Sequence, residues 1–235
     1  MVKKYIYSKQ ESLWGEPDCI GFGTDDFYIK EIDRKLANEI IIKNHYSKKV
    51  YNATYLHLGL FYKNKIKGVL QYGYAMNPAS CCSVVKGTKQ NEYLELNRMW
   101  ISDDCKKYAE SQAISYSIKY IKKKLKTIKW IQSFADERCG GFGIVYQACS
   151  FDFFGEHKSD FWEFEGEIYH NSIITNNNRN KKKELENKGF SKKAIKKTLR
   201  QFRYIKFIDK RQKKNCLLKQ MPYPKHYKEG VEKNG

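Results

Sequence analysis

The segment from residue 93 to residue 155 constrains the fold of this chain more than any other. Residues 94–102 alternate as a buried β-strand does, and residues 111–124 repeat isoleucines every three or four positions, as an amphipathic helix does. A second short apolar run, residues 130–134, predicts another strand, and a glycine-punctuated helix follows it. Strand, helix and strand in this order favour parallel pairing with a right-handed crossover.

Two polar segments follow the two predicted parallel strands. Residues 103–110 come after the first strand, and residues 135–138, with the sequence ADER, come after the second. Ligand sites of such units lie at the carboxyl ends of the strands. These two segments are therefore the first candidates for a functional site.

The preceding residues predict antiparallel structure. Residues 27–32 are a predicted strand and residues 1–27 an irregular lead-in or edge strand, while Asp33 can cap a helix over residues 34–43. Two alternating runs, residues 55–62 and 66–74, have the pattern of a β-hairpin. The sequence therefore predicts a mixed α/β fold, with a central mixed sheet flanked by helices.

Two further segments belong to the predicted first domain, a loop and a hairpin. Residues 76–91 are expected to form an exposed, mobile loop. Residues 161–168 and 169–175 are expected to form a closing hairpin around Glu165 and Gly166. The first domain is predicted to end at residue 176.

Charge and length restrict the class of protein. The 235 residues carry a formal net charge of +19, for which a polyanion is the natural partner, and nucleic acid is favoured over a membrane. No apolar run approaches the roughly 18 residues that span a bilayer, so we expect a cytoplasmic protein with no membrane partner. The 7 cysteines show no repeated CxxC spacing, which favours free thiols.

The basic charge is concentrated near the C-terminus. Residues 179–219 contain 17 Lys or Arg and 3 Asp or Glu, with aromatic residues among them. Ser191 is expected to cap a helix over residues 192–202, before a strand at residues 203–209. We predict a separate nucleic-acid-binding extension, residues 177–235, although a solvated basic face is the common alternative. The predicted contact residues are Lys192, Lys193, Lys196, Lys197, Arg200, Arg203, Lys210 and Arg211.

The order of elements resembles the GNAT acyltransferase fold. Tyr146 and Phe151, followed by Gly155, look like the segment where that family places a tyrosine on its last helix and a phenylalanine just after it. The family's glycine-rich coenzyme A loop corresponds to residues 105–113, which contain no glycine. Acetyl-CoA is therefore a doubtful donor, and the sequence identifies no other.

Longer motifs are similar to the phage Mom family. They are ELNRMWIS, ESQAISYSI and QSFADERCGGFGIVYQACSF, together with His45-Tyr46-Ser47, and they cover roughly residues 30–175. The resemblance implies a GNAT-like fold, an association with iron and conversion of adenine in DNA to N6-carbamoylmethyladenine, which protects phage DNA from restriction. The residues that carry over are His45, Tyr46, Arg98, Ser111, Asp136 and Tyr146.

Roles follow from that resemblance. Asp136 and Tyr146 are expected to face one pocket that receives a flipped adenine, and with His45 and Tyr46 they form an N/O donor set that suits iron. Arg98 and Ser111 are expected to be catalytic and cofactor-binding. Each also has a structural alternative.

On a strand, Arg98 could pair with Glu95, Asp136 or Glu137 instead of a ligand. Ser111 is an expected N-cap.

The expected partner is double-stranded DNA. Nothing in the residues fixes the oligomeric state, and a homodimer is one option. Two alternatives remain, an acetyl-CoA-dependent acyltransferase acting on a protein or small amine, and a non-enzymatic nucleic-acid-binding module.

Overall fold

A computed structural model describes residues 2–11, 17–139, 141–170 and 179–224. Within these residues the backbone forms one ten-stranded sheet in the order β1-β2-β3-β4-β5-β6-β7-β10-β8-β9. The strands are β1 (Lys4–Glu11), β2 (Pro17–Gly23), β3 (Phe27–Glu31), β4 (Thr54–Tyr62), β5 (Lys65–Gly73), β6 (Tyr93–Ile101), β7 (Trp130–Asp136), β8 (Asp152–Phe164), β9 (Glu167–His170) and β10 (Ile195–Phe207). The helices are α1 (Arg34–Asn44), α2 (Cys81–Val84), α3 (Ala109–Lys124), α4 (Ile144–Ala148), α5 (Arg179–Asn187) and α6 (Phe190–Lys193). The mixed α/β class is confirmed.

The central pair, β6 and β7, is parallel, as the sequence predicts. The two strands are paired from Tyr93 opposite Trp130 to Leu96 opposite Ser133, and the pairing between them ends there. Beyond that point β6 pairs with β5 and β7 pairs with β10. The two strands therefore separate after Leu96 and Ser133, and we call this opening the splay.

A bulge in β6 lies beside the splay. Leu96 pairs with Tyr72 while Arg98 pairs with Gln71, so Asn97 is the extra residue. An extra residue shifts the alternation of side chains by one position. As a result Leu96 lies on the α3 face of the sheet, whereas Arg98 lies on the α1 face.

Each face of the sheet is covered by apolar packing. On one face α3 buries a stripe that includes Ala113, Ile114, Tyr120 and Ile121 in the largest cluster of the core. On the other face α1 buries Ala37 and Ile41 with Val69 and Trp100. Asp33 caps α1 as predicted, since its carboxylate accepts from the Lys35 N–H at 2.7 Å.

A third apolar cluster, on the α1 face, corrects one prediction. Residues 76–91 were expected to be an exposed loop, but Cys81, Val84 and Val85 are buried with Tyr93 and Trp130. The segment packs because it places apolar side chains over the amino end of β6 and β7. This segment and α1 thus pack on the same face of the sheet, in two separate clusters.

Strand β10 corrects the prediction for the basic segment. Residues 195–207 form a strand between β7 and β8, so the expected helix over residues 192–202 is wrong, and so is a separate extension that begins at residue 177. The spacing of Ile195, Leu199 and Phe202 fits a helix. However, pairing on both sides satisfies the backbone of a strand and buries Phe202 and Tyr204.

The hairpin predictions are largely correct. The turn at Glu165 and Gly166 joins β8 to β9, with the strands shifted relative to the prediction, and residues 171–175 lie outside the described residues. The lead-in of residues 1–27 contains strands β1 and β2. No helix in the described part of the chain has the length and apolar character needed to cross a bilayer.

Candidate active site

Four side chains meet at the carboxyl end of β7 on the α1 face. Helix α1 ends at Asn44 because the next residue, His45, leaves the helix with an extended backbone, and this turn directs His45 and Tyr46 toward β7. Asp136 is the last residue of β7, and Arg138 follows it in a short turn. The Tyr46 hydroxyl donates to Asp136 Oδ2 at 3.4 Å.

Asp136 is held mainly by Arg138. The Arg138 Nε lies 2.9 Å from each carboxylate oxygen, its Nη2 also pairs with Oδ2, and its backbone N–H donates to Oδ1 at 3.0 Å. Burial raises the pKa of the Asp136 carboxyl, but the hydrogen bonds from Arg138 outweigh burial and leave that pKa below its usual value. Asp136 is therefore ionised at neutral pH.

Arg138 also orders the aromatic groups around it. Its guanidinium lies 5.2 Å from the ring centre of Tyr46 and 4.4 Å from that of Phe161 on β8. Such cation–π contacts stabilise a partly buried charge. Sequence analysis included Arg138 in the candidate segment of residues 135–138 but gave it no role of its own.

His45 is neutral in this environment. Burial lowers the pKa of its imidazole to about 4, and the nearby Arg98 and Arg138 charges contribute, against the opposing effect of Asp136. The Ser47 backbone N–H donates to His45 Nδ1 at 3.1 Å. Since a backbone N–H can only donate, Nδ1 is the acceptor and the neutral ring carries its proton on Nε2.

Arg98 lies on the same face, next to the bulge of β6. Its Nε donates to the Lys49 carbonyl at 3.3 Å and its Nη1 to the Asn97 carbonyl at 2.7 Å, while its guanidinium lies 5.5 Å from the ring centre of Tyr51. Burial lowers its pKa. No carboxylate of the described residues forms an ion pair with it, so the expected pairing with Glu95, Asp136 or Glu137 is wrong.

Tyr146 lies on the opposite face of the sheet from Asp136. Its hydroxyl accepts from the Ser133 hydroxyl at 2.8 Å, and Ser133 and Asp136 are three residues apart on a strand of regular register. Side chains at an odd separation point to opposite faces. Asp136 and Tyr146 therefore lie on opposite faces of the sheet, and a pocket shared by the two could only lie between these faces.

The Tyr146 hydroxyl nevertheless reaches the splay. Ser133 is the last residue of β7 paired with β6, and its hydroxyl is 3.3 Å from the Leu96 carbonyl at the same point. Helix α4 and the rings of Phe151 and Tyr204 hold Tyr146 in place. Tyr146 and the Asp136 group thus approach one opening from its two sides.

Ser111 lies away from this group. Helix α3 begins at Ala109, and its N-cap is Tyr108, which adopts the left-handed conformation with φ 64°. The Ser111 hydroxyl donates to the Tyr108 carbonyl at 3.2 Å inside the first turn. The N-cap role predicted for Ser111 is wrong, and its catalytic and cofactor-binding roles stay predictions.

The expected iron ligands do not fit a metal centre. Both Asp136 oxygens are engaged by Arg138, the neutral His45 carries a proton on the nitrogen that would bind a metal, and Tyr146 lies across the sheet. Two guanidinium groups nearby also repel a cation. In the part of the chain that the structure describes, no three His, Cys, Asp or Glu side chains converge as a metal site.

The residues predicted to contact nucleic acid differ in whether an ion pair or burial already engages their side chains. Lys196 pairs with Asp160, Lys197 with Glu163, Arg200 with Glu137 and Arg211 with Asp209. Arg203 is partly buried, 5.1 Å from the ring centre of Phe134. Lys192, Lys193 and Lys210 are exposed and have no ion pair among the described residues.

Two comparisons with known proteins agree on one protein family. The model of the Mom protein family matches residues 26–225. The methylcarbamoylase Mom of Escherichia phage Mu is 42% identical over 226 residues, which cover 95% of this chain and 94% of that protein.

Similar solved structures are acetyltransferases. The ribosomal-protein-S5-alanine acetyltransferase of Vibrio fischeri has a TM-score of 0.49 at 12% identity, covering 81% of this chain and 98% of its own. A GNAT-family acetyltransferase of Streptococcus pneumoniae has a TM-score of 0.45 at 11% identity, covering 78% and 99%.

Proposed function

Because the chain belongs to the Mom protein family, we propose that it converts adenine in DNA to N6-carbamoylmethyladenine and so protects phage DNA from host restriction. The observation that carries the proposal is similarity to a methylcarbamoylase over 95% of the chain rather than over one motif. The chain is an enzyme, so the non-enzymatic alternative is wrong. The substrate is double-stranded DNA in the host cytoplasm.

The chemistry is located at the splay. Adenine N6 is a weak nucleophile because its lone pair is delocalised into the ring. The enzyme must therefore position N6 and also stabilise the charge on the carbamoylmethyl group that N6 receives. The splay offers the Tyr146 hydroxyl from one face and Arg98 from the other. Reaching N6 requires that adenine leave the helix stack.

The cluster of His45, Tyr46, Asp136 and Arg138 binds an anionic oxygen of one of the two substrates. Arg98 and Arg138 are positive and Asp136 is negative, so the net local charge is positive, and the His45 Nε2–H is a further donor. Asp136 fixes the Arg138 guanidinium in one orientation. Preorganised donors of this kind stabilise developing negative charge.

This scheme involves no metal, because the donor set does not fit one. The carbamoylmethyl donor is a second substrate that meets adenine at the splay.

Nucleoside mass spectrometry of DNA from cells that express the protein tests the proposal. Wild type should yield N6-carbamoylmethyladenine, and Arg98→Gln should reduce its amount by roughly tenfold or more, since one charge-assisted contact contributes about 1.5–3 kcal/mol. Arg211→Gln, which removes an exposed arginine paired with Asp209, is the matched control. Unmodified adenine in the wild-type sample would refute the proposal.

A further inference from the structure

The sheet between the apolar cluster of α1 and that of residues 76–91 carries a buried polar triad. Glu95 on β6 and Gln132 on β7 are in register on the α1 face, and Asn97 is the bulge residue beside the splay. Apolar packing borders the triad on both sides, with Trp100 and α1 on one side and Tyr93 and Trp130 on the other. A polar group in such surroundings needs hydrogen-bond partners.

Glu95 fixes the orientation of both amides. Gln132 Nε2 donates to Glu95 Oε2 at 2.8 Å, and Asn97 Nδ2 donates to Glu95 Oε1 at 2.9 Å and to the Tyr74 carbonyl at 3.1 Å. A carboxylate can only accept, so each amide must turn its NH₂ toward Glu95 and its oxygen away. The hydrogen-bond network therefore determines where the two oxygens point.

Those two oxygens have no partner. Among the described residues, Gln132 Oε1 and Asn97 Oδ1 are buried acceptors without a hydrogen bond. Gln132 is only 4% exposed. A buried acceptor left unpaired costs about 1–3 kcal/mol, which a ligand that donates to it would recover.

Aromatic rings surround the triad. Tyr51 lies beside Arg98, the rings of Tyr55 and Tyr74 are 5.1 Å apart, and those of Tyr74 and Tyr93 are 6.3 Å apart. Burial, with the Glu95 charge, raises the pKa of Tyr51 to about 12, so Tyr51 stays neutral beside the triad. Neutral rings around a few fixed polar atoms suit a flat, uncharged heterocycle with a donor edge.

We propose that Asn97 and Gln132 accept hydrogen bonds from the exocyclic amino group of the flipped adenine, and that Glu95 is the positioning residue that orients both amides. The inference rests on the proposed function and identifies how adenine is selected. Thymine and cytosine are smaller than the purines, and guanine presents a carbonyl where adenine presents the amino group, so two oxygen acceptors reject it. The triad also lies next to the splay, where the Tyr146 hydroxyl is located.

A binding cycle tests the proposal. Duplexes contain either adenine at a mapped modification site or purine, which lacks the amino group, and affinity is measured by fluorescence anisotropy. Wild type should bind the adenine duplex about tenfold more tightly, the ratio that a hydrogen bond of about 1.4 kcal/mol produces. Gln132→Met removes the acceptor at similar volume and should reduce this ratio toward one, mainly by weakening adenine binding.

Gln71→Met is the matched control. Gln71 is also buried with an unpartnered oxygen, but its amide donates to Asn38 and His57 beneath α1. It should lower stability and keep the adenine-to-purine ratio. Glu95→Gln is a second test variant. Loss of the carboxylate releases both amides from their fixed orientation, so this variant should also lower the adenine-to-purine affinity ratio.

The outcomes separate this inference from the proposed function. If folded Gln132→Met and Glu95→Gln keep the adenine-to-purine affinity ratio of wild type, the proposed role of the triad is wrong. The proposed function still stands in that case, provided that wild type produces modified adenine. Absence of modified adenine in wild type overturns both. If Gln132→Met does not fold, Asn97→Leu replaces it in the same cycle.

Discussion

The guanidinium of Arg138 connects most of the groups at the candidate site, because it binds Asp136 and lies against Tyr46 and Phe161. Replacing the carboxylate should therefore affect geometry as well as charge. We expect Asp136→Asn to reduce adenine modification by about a hundredfold, as misplacement of a positioned group typically does. Nucleoside mass spectrometry measures this loss.

The same variant should remain folded. The Arg138 charge loses its partner but can turn toward solvent, so we expect a stability loss of about 1–3 kcal/mol, measured by thermal unfolding. Asp160→Asn is the control, because it breaks an exposed pair with Lys196 on β8. Full modification by Asp136→Asn would exclude the carboxylate from the reaction.

The neutral imidazole of His45 predicts a pH dependence of stability. Its pKa in the folded protein is about 4, below the ordinary value of 6.5. Between these values the unfolded chain binds more protons, so stability should fall as the pH is lowered from about 6.5 to 4, by at most about 3 kcal/mol. Urea unfolding at a series of pH values measures the change.

His45→Gln should remove most of this dependence. His57 and His157 also have lowered pKa values because of burial, so some dependence in the same direction should persist. An identical pH profile for wild type and His45→Gln would show that His45 is protonated or exposed in solution.

Strand β10 is the element on which the sheet depends most. It pairs with β7 along Gln201–Phe207 and with β8 along most of its length. Deleting residues 195–235 should therefore abolish cooperative unfolding, where a dispensable extension would leave it intact. Circular dichroism during thermal unfolding tests this expectation.

Single substitutions in β10 give a graded test. Phe202 is 1% exposed, so Phe202→Ala should cost about 3–5 kcal/mol. Ile195 begins the same strand and is 62% exposed, so Ile195→Ala should cost less than about 1 kcal/mol. Similar losses from both would mean that β10 is not packed as described.

Local patterns predicted the elements whose partners are near in sequence. The β4–β5 hairpin, the β6–α3–β7 unit and the cap at Asp33 were all evident, because alternation, helical spacing and capping are local signals. Residues 203–207 of β10 were predicted as strand, but residues 195–202 were missed because their pairing partners lie more than thirty residues away. The positive charges of this segment were assigned to a separate nucleic-acid-binding extension, although Asp160, Glu163 and Glu137 neutralise several of them.

The candidate site was predicted only in part, because some of its contacts also depend on packing between segments that are distant in sequence. The sequence indicated the carboxyl end of β7, and the structure places Asp136 there with His45 and Tyr46. The side of the sheet reached by Tyr146 could not be predicted, since it depends on how α4 packs. The triad of Glu95, Asn97 and Gln132 depends on the register of two strands and on a bulge.

At the scale of the molecule, β10 separates the basic residues into two groups. Its 13 residues span about 40 Å, with Lys192 and Lys193 just before its first residue and Lys210 and Lys214 after its last. Gln201 pairs with Asp136 and Phe207 with Trp130, so the first group lies toward the carboxyl end of β7, where the candidate site is, and the second lies toward its amino end. DNA that delivers adenine to the candidate site should therefore contact Lys192 and Lys193.

Salt dependence of DNA binding distinguishes the groups. The double substitution Lys192→Gln with Lys193→Gln should reduce the slope of log affinity against log salt by up to about 1.8, since each phosphate contact contributes about 0.9. Lys210→Gln with Lys214→Gln should leave the slope unchanged. The reverse result would place the DNA at the opposite end of the sheet.

The splay has a consequence for the order of catalytic events. Because β6 and β7 part after Leu96 and Ser133, groups from both faces of the sheet meet at this opening, with Tyr146 on the α3 face and the polar triad on the α1 face. Two reactants can therefore occupy it together, without one leaving before the other arrives. Steady-state rates measured over both concentrations should give intersecting rather than parallel reciprocal plots, the kinetic signature of a ternary complex.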